Sequence, residues 1–446
     1  QPPPAAKVLA VVALDGGVDV TALAETLRAG LAGHKEVCIL FETTPEGLQR
    51  AERDHETVIL VAGAGDPGRD AFVRQADRAV LISSCADPDL VPRRPSASEG
   101  LCDVIVAGPA PAAGQVARWH EATGCRRVYH AGHDPDGWPA ALRPLVDRLA
   151  QRSVGLVLAG GGARALAHLG ILYALEEAGV TVDRVAGASM GALIAAAFAS
   201  GLSAAEVDRM VFDELVVGQP FRDWWPSRVS LAKGDRGVAM LRRCFGETVL
   251  EAMARELVIV STDLYARAPV YHRRGPVVEA LAASMSLPVL FPPRKDGRRV
   301  LVDGALTDNC PTSAFTVVPE GPVLEVQIGG ASIGGHRTRL PSIGETLMRV
   351  MLMGSRPGNP TDQIPATVTV MPDTRGIGLL EFHQIDAARE AGLQAGRAAV
   401  TALLRAIGDR QPEDTVDIRS GDAAALDGAT DTVMPDGVAP SQGRGF

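Results

Sequence analysis

Short apolar runs alternate with amphipathic stretches along most of the chain. In the first third, runs such as VLAVVAL, TVILVAG and DVIVAG are bounded by turn residues and predict β-strands. The segments between them, including DVTALAETLRAGLA and GQVARWHEA, repeat apolar residues at three- and four-residue spacing and predict helices. This alternation is typical of an open, mostly parallel sheet with helices on both faces.

A second α/β unit begins near Ser153. The runs VGLVLAG, VDRVAG, ELVIVSTDL, RRVLVDGA and PVLEVQIG predict further strands, and LPSIGETLMRVMLMG and QIDAAREAGLQAGRAAVTALLRAIG predict helices. We therefore predict a linker-like start at residues 1–6, a Rossmann-like, doubly wound α/β domain at 7–152 and a second α/β domain at 153–408. Residues 409–446 are rich in Asp, Gly, Ala, Pro, Ser and Gln, a composition typical of a disordered tail.

One run, Val185–Ala205, contains no charged residue at all. Its length alone would suit a membrane span, but its Ala, Gly and Ser content makes insertion weak. The run also contains GASMG, a G-x-S-x-G motif between a predicted strand and a predicted helix. That context is typical of a nucleophile elbow, in which Ser189 occupies a strained turn and Gly187 and Gly191 avoid collisions across it. We expect a buried helix with Ser189 at its N-terminal tip, where unpaired amides favour negative charge.

Composition narrows the function classes. The formal net charge of −9 over 446 residues argues against general nucleic-acid binding, which needs a basic footprint. The six cysteines form no C-x-x-C pair and the nine histidines show no ligand spacing, so neither a metal site nor another cofactor is predicted. Scattered cysteines and the lack of a secretory signal indicate a cytoplasmic protein.

Two further motifs supply groups that a nucleophilic serine needs. The stretch AGGGARALAHLG has the dinucleotide-type spacing G-x-G-x-x-A, but the acidic residue, Asp183, begins the second strand instead of ending it. Backbone amides for an oxyanion therefore explain the loop better. The candidate donors are Gly160, Gly161, Gly162, Ala163 and Arg164. Asp303, in LVDGALTDN, ends a strand where a carboxylate can accept the Ser189 proton, although Asp-Gly more often serves only as a turn.

The order Gly-Gly-Gly-x-Arg, G-x-S-x-G and Asp-Gly-Ala, on these elements, resembles the patatin-like phospholipases. Longer segments, among them STDLYARAPVYHRRGPVVEALAASMSLPVLFPP, are similar to the neuropathy-target-esterase-like branch, so the resemblance covers most of residues 1–408. It implies a patatin-like catalytic domain with Ser189 as nucleophile, Asp303 as base and the glycine loop as oxyanion hole. It also implies a phospholipid or lysophospholipid substrate, peripheral membrane contact and a cyclic-nucleotide-binding domain upstream of this chain.

Two alternatives stay open. Ala165 stands where family members commonly have Gly, and a methyl group that narrows the approach to Ser189 would favour a catalytically weakened regulatory protein. The stretch GAGDPG at 63–68 spells a second glycine fingerprint, which would favour a nucleotide-sensing N-terminal domain.

Several other residues could have either a structural or a functional role. A Ser–Asp–His triad would need His336 or His383, both of which we expect on the surface. His168 suits either a residue that helps to hold the glycine loop or a packed core histidine, and we expect the core histidine. Trp224 and Trp225 suit either a membrane-contacting loop or packing over the core, and we expect the packing.

Overall fold

The computed structural model of the chain describes residues 7–42, 44–91, 101–225, 228–315, 320–328 and 367–408, together with the backbone of 416–419. The first unit is a six-stranded sheet of order β2–β3–β1–β4–β5–β6, in which every pairing is parallel. Its strands are β1 (Val8–Ala13), β2 (Val37–Leu40), β3 (Thr57–Ala62), β4 (Arg78–Ser83), β5 (Cys102–Val106) and β6 (Val128–His130).

Helices cover both faces of this sheet, as predicted from the alternation. They are α1 (Val20–Ala32), α2 (Pro45–Asp54), α3 (Arg69–Gln75), α4 (Ala113–Thr123), α5 (Trp138–Ala141) and α6 (Arg143–Leu149). One face packs against α1, α5 and α6 through side chains such as Leu23 and Leu27. The other packs against α3 and α4 through Phe72 and Trp119. Strands buried on both faces explain the continuous apolar runs in the sequence.

The second unit is a mixed, parallel-rich sheet of nine strands, ordered β11–β12–β9–β8–β7–β13–β14–β15 with β10 paired to β9. Its strands are β7 (Val154–Leu158), β8 (Val182–Ala188), β9 (Glu256–Asp263), β10 (Ala268–His272), β11 (Arg294–Asp296), β12 (Arg299–Asp303), β13 (Val323–Val326), β14 (Thr367–Met371) and β15 (Val416–Arg419). Strands β10, β11 and β12 join by antiparallel pairing. The predicted fold class, a patatin-like α/β domain after a Rossmann-like one, is confirmed in both sheets.

The helices of this unit are α7 (Ala167–Glu177), α8 (Ser189–Ala199), α9 (Ala204–Val211), α10 (Asp235–Phe245), α11 (Val277–Ser284) and α12 (Ile385–Gly408). The uncharged run is divided between β8 and the eleven residues of α8, of which all but the first are buried. A helix buried on all sides needs no polar face, which explains the missing charges. Among the described residues, no helix is long and apolar enough to cross a membrane.

Ion pairs connect the two units across the boundary predicted near Arg152. Glu320 is fully buried and lies 3.0 Å from the Arg78 guanidinium and 3.2 Å from that of Arg126. Arg148, also buried, lies 2.9 Å from the carboxylate of Glu256. Burial alone would raise the pKa of Glu320, but the surrounding arginines lower it to about 2. Paired charges of this kind stabilise only while all partners are present.

Two predicted segments remain largely untested. The predicted helix in LPSIGETLMRVMLMG lies outside the described residues, as does most of the tail from residue 409 onward. Within that tail, however, Val416–Arg419 pairs in parallel with β14, which differs from the expected disorder of this stretch. Apolar and polar residues alternate in VDIR, a pattern that suits an edge strand. The prediction of disorder was based on the composition of the whole tail and did not take this short pattern into account.

Candidate active site

Ser189 lies at the sharp turn between β8 and α8. Its φ is +53°, a left-handed conformation that non-glycine residues seldom adopt. Residues in such strained conformations cluster at functional sites. The Ser189 N–H donates to the Ser284 hydroxyl oxygen at 2.8 Å, and Ser284, at the end of α11, is fully buried. The turn is therefore held by a hydrogen bond from a distant part of the chain.

The two elbow glycines lie where the sequence predicted and are required by close packing. A Cβ atom on Gly187 would lie 2.8 Å from the Ala192 nitrogen, and one on Gly191 would lie 2.2 Å from the Leu158 carbonyl oxygen. Contacts this short to backbone atoms force the backbone to move. Both positions therefore require glycine for the turn to form.

Asp303 ends β12 and reaches Ser189 across the sheet. The register pairs Ala188 with Val260 and Asp303 with Ser261, so the end of β12 lies level with the end of β8. The Ser189 hydroxyl donates to Asp303 Oδ2 at 2.7 Å. The other carboxylate oxygen accepts the Ala305 N–H at 2.9 Å.

The environment of this carboxylate is unfavourable for its charge. Asp303 is 1% exposed, and its burial raises the pKa of the carboxyl to about 6, although the hydrogen bonds from Ser189 and Ala305 act in the opposite direction. A carboxylate with a pKa near neutrality can both accept and return a proton close to physiological pH. Sequence alone left this residue as either a base or a turn residue, and the geometry favours the base.

The glycine loop lies directly against the serine. A Cβ built on Gly160 would lie 3.0 Å from that of Ser189. The Gly160 N–H donates to the Asn309 carbonyl at 3.2 Å and the Ala163 N–H to the Leu379 carbonyl at 2.8 Å, so neither is available to a substrate oxygen in this conformation. Two of the predicted donors, the backbone amides of Gly161 and Gly162, have no hydrogen-bond acceptor among the described residues.

The loop is held in shape from both sides. Gly162 has a φ of +57°, and a Cβ there would lie 2.3 Å from the Leu379 carbonyl oxygen. Arg164 donates through Nε to the Gly161 carbonyl at 3.4 Å, so its side chain braces the loop. His168 is fully buried, with Nε2 2.8 Å from the Ala159 carbonyl, and burial lowers its pKa to about 4. Because a carbonyl oxygen can only accept a hydrogen bond, the neutral imidazole carries its proton on Nε2. It donates this proton to the Ala159 carbonyl and so supports the start of the glycine loop.

Three residues near the site were missed by sequence reasoning. They are Ser284, Thr262, whose hydroxyl donates to the Asp303 carbonyl at 2.9 Å, and Asn309, whose side-chain amide donates to the Gly160 carbonyl at 3.3 Å. Asn309 ends the motif that contains Asp303, so its position was a usable signal. Ser284 and Thr262 stand in ordinary apolar stretches that carry no local motif.

The alternatives based on a histidine and on Ala165 find no support in the geometry. His383 is exposed on a short 3₁₀ turn and His336 lies outside the described residues. The Asp303 carboxylate bonds directly to the serine, with no imidazole between them. Ala165 is fully buried and packs within the hydrophobic core of the second unit.

The glycine fingerprint of the first unit lines a separate cavity of about 480 Å³ at the carboxyl ends of β1 and β3. Three carboxylates, those of Asp15, Asp66 and Asp70, line it against the single guanidinium of Arg69. The Arg69 side chain already donates to the Ala64 carbonyl at 3.3 Å. A predominantly acidic wall disfavours a phosphate group, so this cavity does not favour the nucleotide-sensing alternative. Nor is a group of three or more potential metal ligands found among the residues that the structure describes.

A strained serine at a strand–helix turn, bonded to a buried carboxylate beside a glycine loop, resembles the nucleophile elbow of α/β hydrolases. Residues 156–316 match the family model described as patatin-like phospholipase. The chain therefore contains a patatin-like phospholipase domain, and the resemblance carried by the three motifs, all of which lie within these residues, is confirmed.

Two relatives matched by sequence agree with this assignment. An uncharacterized NTE family protein of Mycobacterium tuberculosis is 34% identical over 391 residues, which cover 81% of this chain and 64% of that protein. A lysophospholipase of Aspergillus fumigatus, nte1, is 29% identical over 61% of this chain and 20% of its own length. Among solved structures, VipD from Legionella pneumophila overlaps 56% of this chain and 67% of its own at 14% identity, with a TM-score of only 0.33. The chain thus spans less than two thirds of the length of the two relatives matched by sequence.

Proposed function

We propose that this protein is a serine esterase that hydrolyses lysophospholipids or related acyl lipids through a Ser189–Asp303 dyad. The observation that carries the proposal is the 2.7 Å hydrogen bond from the strained Ser189 hydroxyl to the buried Asp303 carboxylate. The choice of substrate draws on the family and on the relative named as a lysophospholipase.

In the first half-reaction the Ser189 oxygen attacks the ester carbonyl carbon while Asp303 takes the hydroxyl proton. The amides of Gly161 and Gly162, the loop donors left without an acceptor among the described residues, stabilise the oxyanion, aided by the N-terminus of α8. The tetrahedral intermediate then collapses. The carbonyl carbon–leaving oxygen bond breaks, and Asp303 returns the proton to the departing alcohol.

In the second half-reaction water attacks the acyl-serine carbonyl and gives a proton to Asp303. The bond between Ser189 and the acyl carbon breaks, and the proton passes back to the serine oxygen. The products are a fatty acid and the deacylated lipid. One carboxylate thus acts as base and then as acid twice per turnover, which suits a pKa near 6.

A fluorophosphonate probe tests the nucleophile directly. We expect the wild type to be labelled, Ser189→Ala to lose the label, and Ser200→Ala to keep it. Ser200 is a matched control because it caps the same helix and only donates to the Ala197 carbonyl at 2.7 Å. A wild type that stays unlabelled while folded would contradict the proposal.

The dyad and the substrate need a second measurement. Release of fatty acid from lysophosphatidylcholine should be lost in Asp303→Asn and unchanged in His383→Ala. Loss of activity in both variants would instead indicate a triad.

A further inference from the structure

Five large apolar side chains are exposed in one region of the second unit. Trp224 is 54% exposed, Trp225 62%, Val229 61%, Leu231 43% and Val289 45%. We call these five residues the apolar rim. The expected packing of the two tryptophans over the core is therefore wrong, because their loop turns outward before α10. Exposed apolar side chains that cluster mark interaction sites, whereas scattered ones do not.

Backbone hydrogen bonds join the members of the apolar rim. Trp224 forms an isolated β-bridge with Ala232, and the Trp225 N–H donates to the Leu231 carbonyl at 2.8 Å. The Leu231 N–H donates in turn to the Val289 carbonyl at 2.8 Å. Backbone hydrogen bonds thus bring these exposed residues from two distant chain segments into one region of the surface.

The second segment is strained at its exposed position. Val289 has a φ of +70°, which is a genuine outlier for a β-branched residue. Such strain persists only where the surroundings impose it, and it is commonest at functional sites.

The apolar rim is connected to the candidate active site by the chain between Met285 and Pro292. At one end of this stretch, the Ser286 carbonyl accepts the Asp303 N–H at 2.9 Å. At the other, Val289 belongs to the rim. A small, mostly apolar pocket of about 30 Å³ lies beside this stretch, lined by Phe221, Met240, Met285 and Phe291 among others. The stretch that contacts Asp303 through its backbone thus also carries a rim residue.

The charges around the rim are opposite in sign to the chain as a whole. Residues 221–236 contain four basic side chains, Arg222, Arg228, Lys233 and Arg236, and two acidic ones, a net charge of +2 in a chain of net charge −9. All four basic residues are exposed, and the Lys233 ammonium lies 4.9 Å from the Trp225 ring centre. Tryptophan beside lysine and arginine is the combination that favours the headgroup region of an anionic membrane.

We propose that the apolar rim is the surface by which this protein docks on an anionic lipid bilayer, with Trp224 and Trp225 inserted at the headgroup level. The idea rests on the proposed function for its biological meaning, since docking here would deliver lipid to Ser189. The binding itself is measurable without any hydrolysis.

The test is co-sedimentation of the full chain with vesicles, in the Ser189→Ala background so that no lipid is consumed. We expect binding to vesicles of phosphatidylcholine with phosphatidylglycerol, and weaker binding to phosphatidylcholine alone or at high salt. Trp224→Ala with Trp225→Ala should weaken binding about tenfold or more, because two interfacial anchors are lost. The matched control is Leu90→Ala with Tyr265→Ala, which removes side chains 71% and 79% exposed elsewhere and should bind as the parent does.

Three results would overturn the proposal. In the first, the folded parent does not sediment with anionic vesicles. In the second, the rim variant and the control variant lose vesicle binding equally. In the third, the parent is a dimer that does not bind vesicles, and the rim variant is a monomer. The last would assign the rim to a second copy of the chain. Vesicle binding by a wild type that fluorophosphonate never labels would support docking and contradict the esterase, so the two proposals can fail separately.

Discussion

Replacing Asp303 by asparagine should abolish the proposed activity and stabilise the fold at neutral pH. Asp303 is almost fully buried, and its burial raises the pKa of the carboxyl from 3.8 to about 6. At neutral pH the folded protein therefore holds an ionised group in a place that favours the neutral form. Asparagine has nearly the same shape and carries no charge, so it removes this unfavourable contribution to folding.

The magnitude follows from the shift in pKa. A difference of about 2 pH units corresponds to about 3 kcal/mol at roughly 1.4 kcal/mol per unit. Because the folded-state pKa is the higher one, the folded protein binds this proton more tightly than the unfolded chain does. The contribution of Asp303 to the free energy of unfolding therefore decreases as pH rises from about 4 to about 6, and stays constant above that. The asparagine variant lacks this slope.

The assay is urea unfolding of both proteins at pH values from about 4 to about 8. The two free energies of unfolding should be similar near pH 4, and by pH 7 that of the wild type should be lower than that of the variant by up to about 3 kcal/mol. In the same range, kcat/KM of the wild type should fall about tenfold per pH unit below pH 6, as the base becomes protonated. A difference in stability that does not change with pH would refute the assignment of a raised pKa to Asp303.

Three other substitutions test the supports of the site. Ser284→Ala should lower kcat and reduce the free energy of unfolding by about 1–3 kcal/mol, because the Ser189 N–H loses its buried acceptor; unchanged kinetics would contradict this role. Gly191→Ala should lower the melting temperature and prevent fluorophosphonate labelling, whereas Gly114→Ala, with open space around its Cβ, should leave both unchanged. Glu320→Gln should destabilise the protein by about 3–5 kcal/mol in urea unfolding, since it removes one of the carboxylates that neutralise the buried arginines, and a neutral effect would show that the remaining carboxylates, Asp103 and Glu256, suffice.

The hydrogen bond between Ser189 and Asp303 shows which part of the candidate site could be predicted from the sequence. The motif around Ser189 predicted the elbow because strand, turn and helix are adjacent in the chain. Asp303 could be proposed only by adding a family resemblance to an ambiguous Asp-Gly pair. Its position beside the serine depends on β12 pairing antiparallel with β9, next to β8. Such pairing between distant segments has no local signature.

The glycine loop and the two tryptophans show where sequence reasoning stopped. Five consecutive amides were candidate oxyanion donors, and only the structure shows that those of Gly160 and Ala163 are engaged, by the Asn309 and Leu379 carbonyls. Trp224 and Trp225 were expected over the core, since apolar residues are usually buried. Which way a loop turns depends on what its backbone bonds to, and here the partners are Leu231 and Ala232.

By itself, the sequence determined the two α/β units, the buried helix α8, the nucleophile elbow and the family. These features follow from apolar periodicity and from glycines in tight turns. Both are patterns among residues that lie close together in the chain. The tertiary structure decided which carboxylate meets Ser189, which amides stay available, which aromatic residues reach solvent, and how Glu320 joins the two units. All of these depend on contacts between distant segments, whose desolvation and hydrogen bonding exist only once the chain has folded.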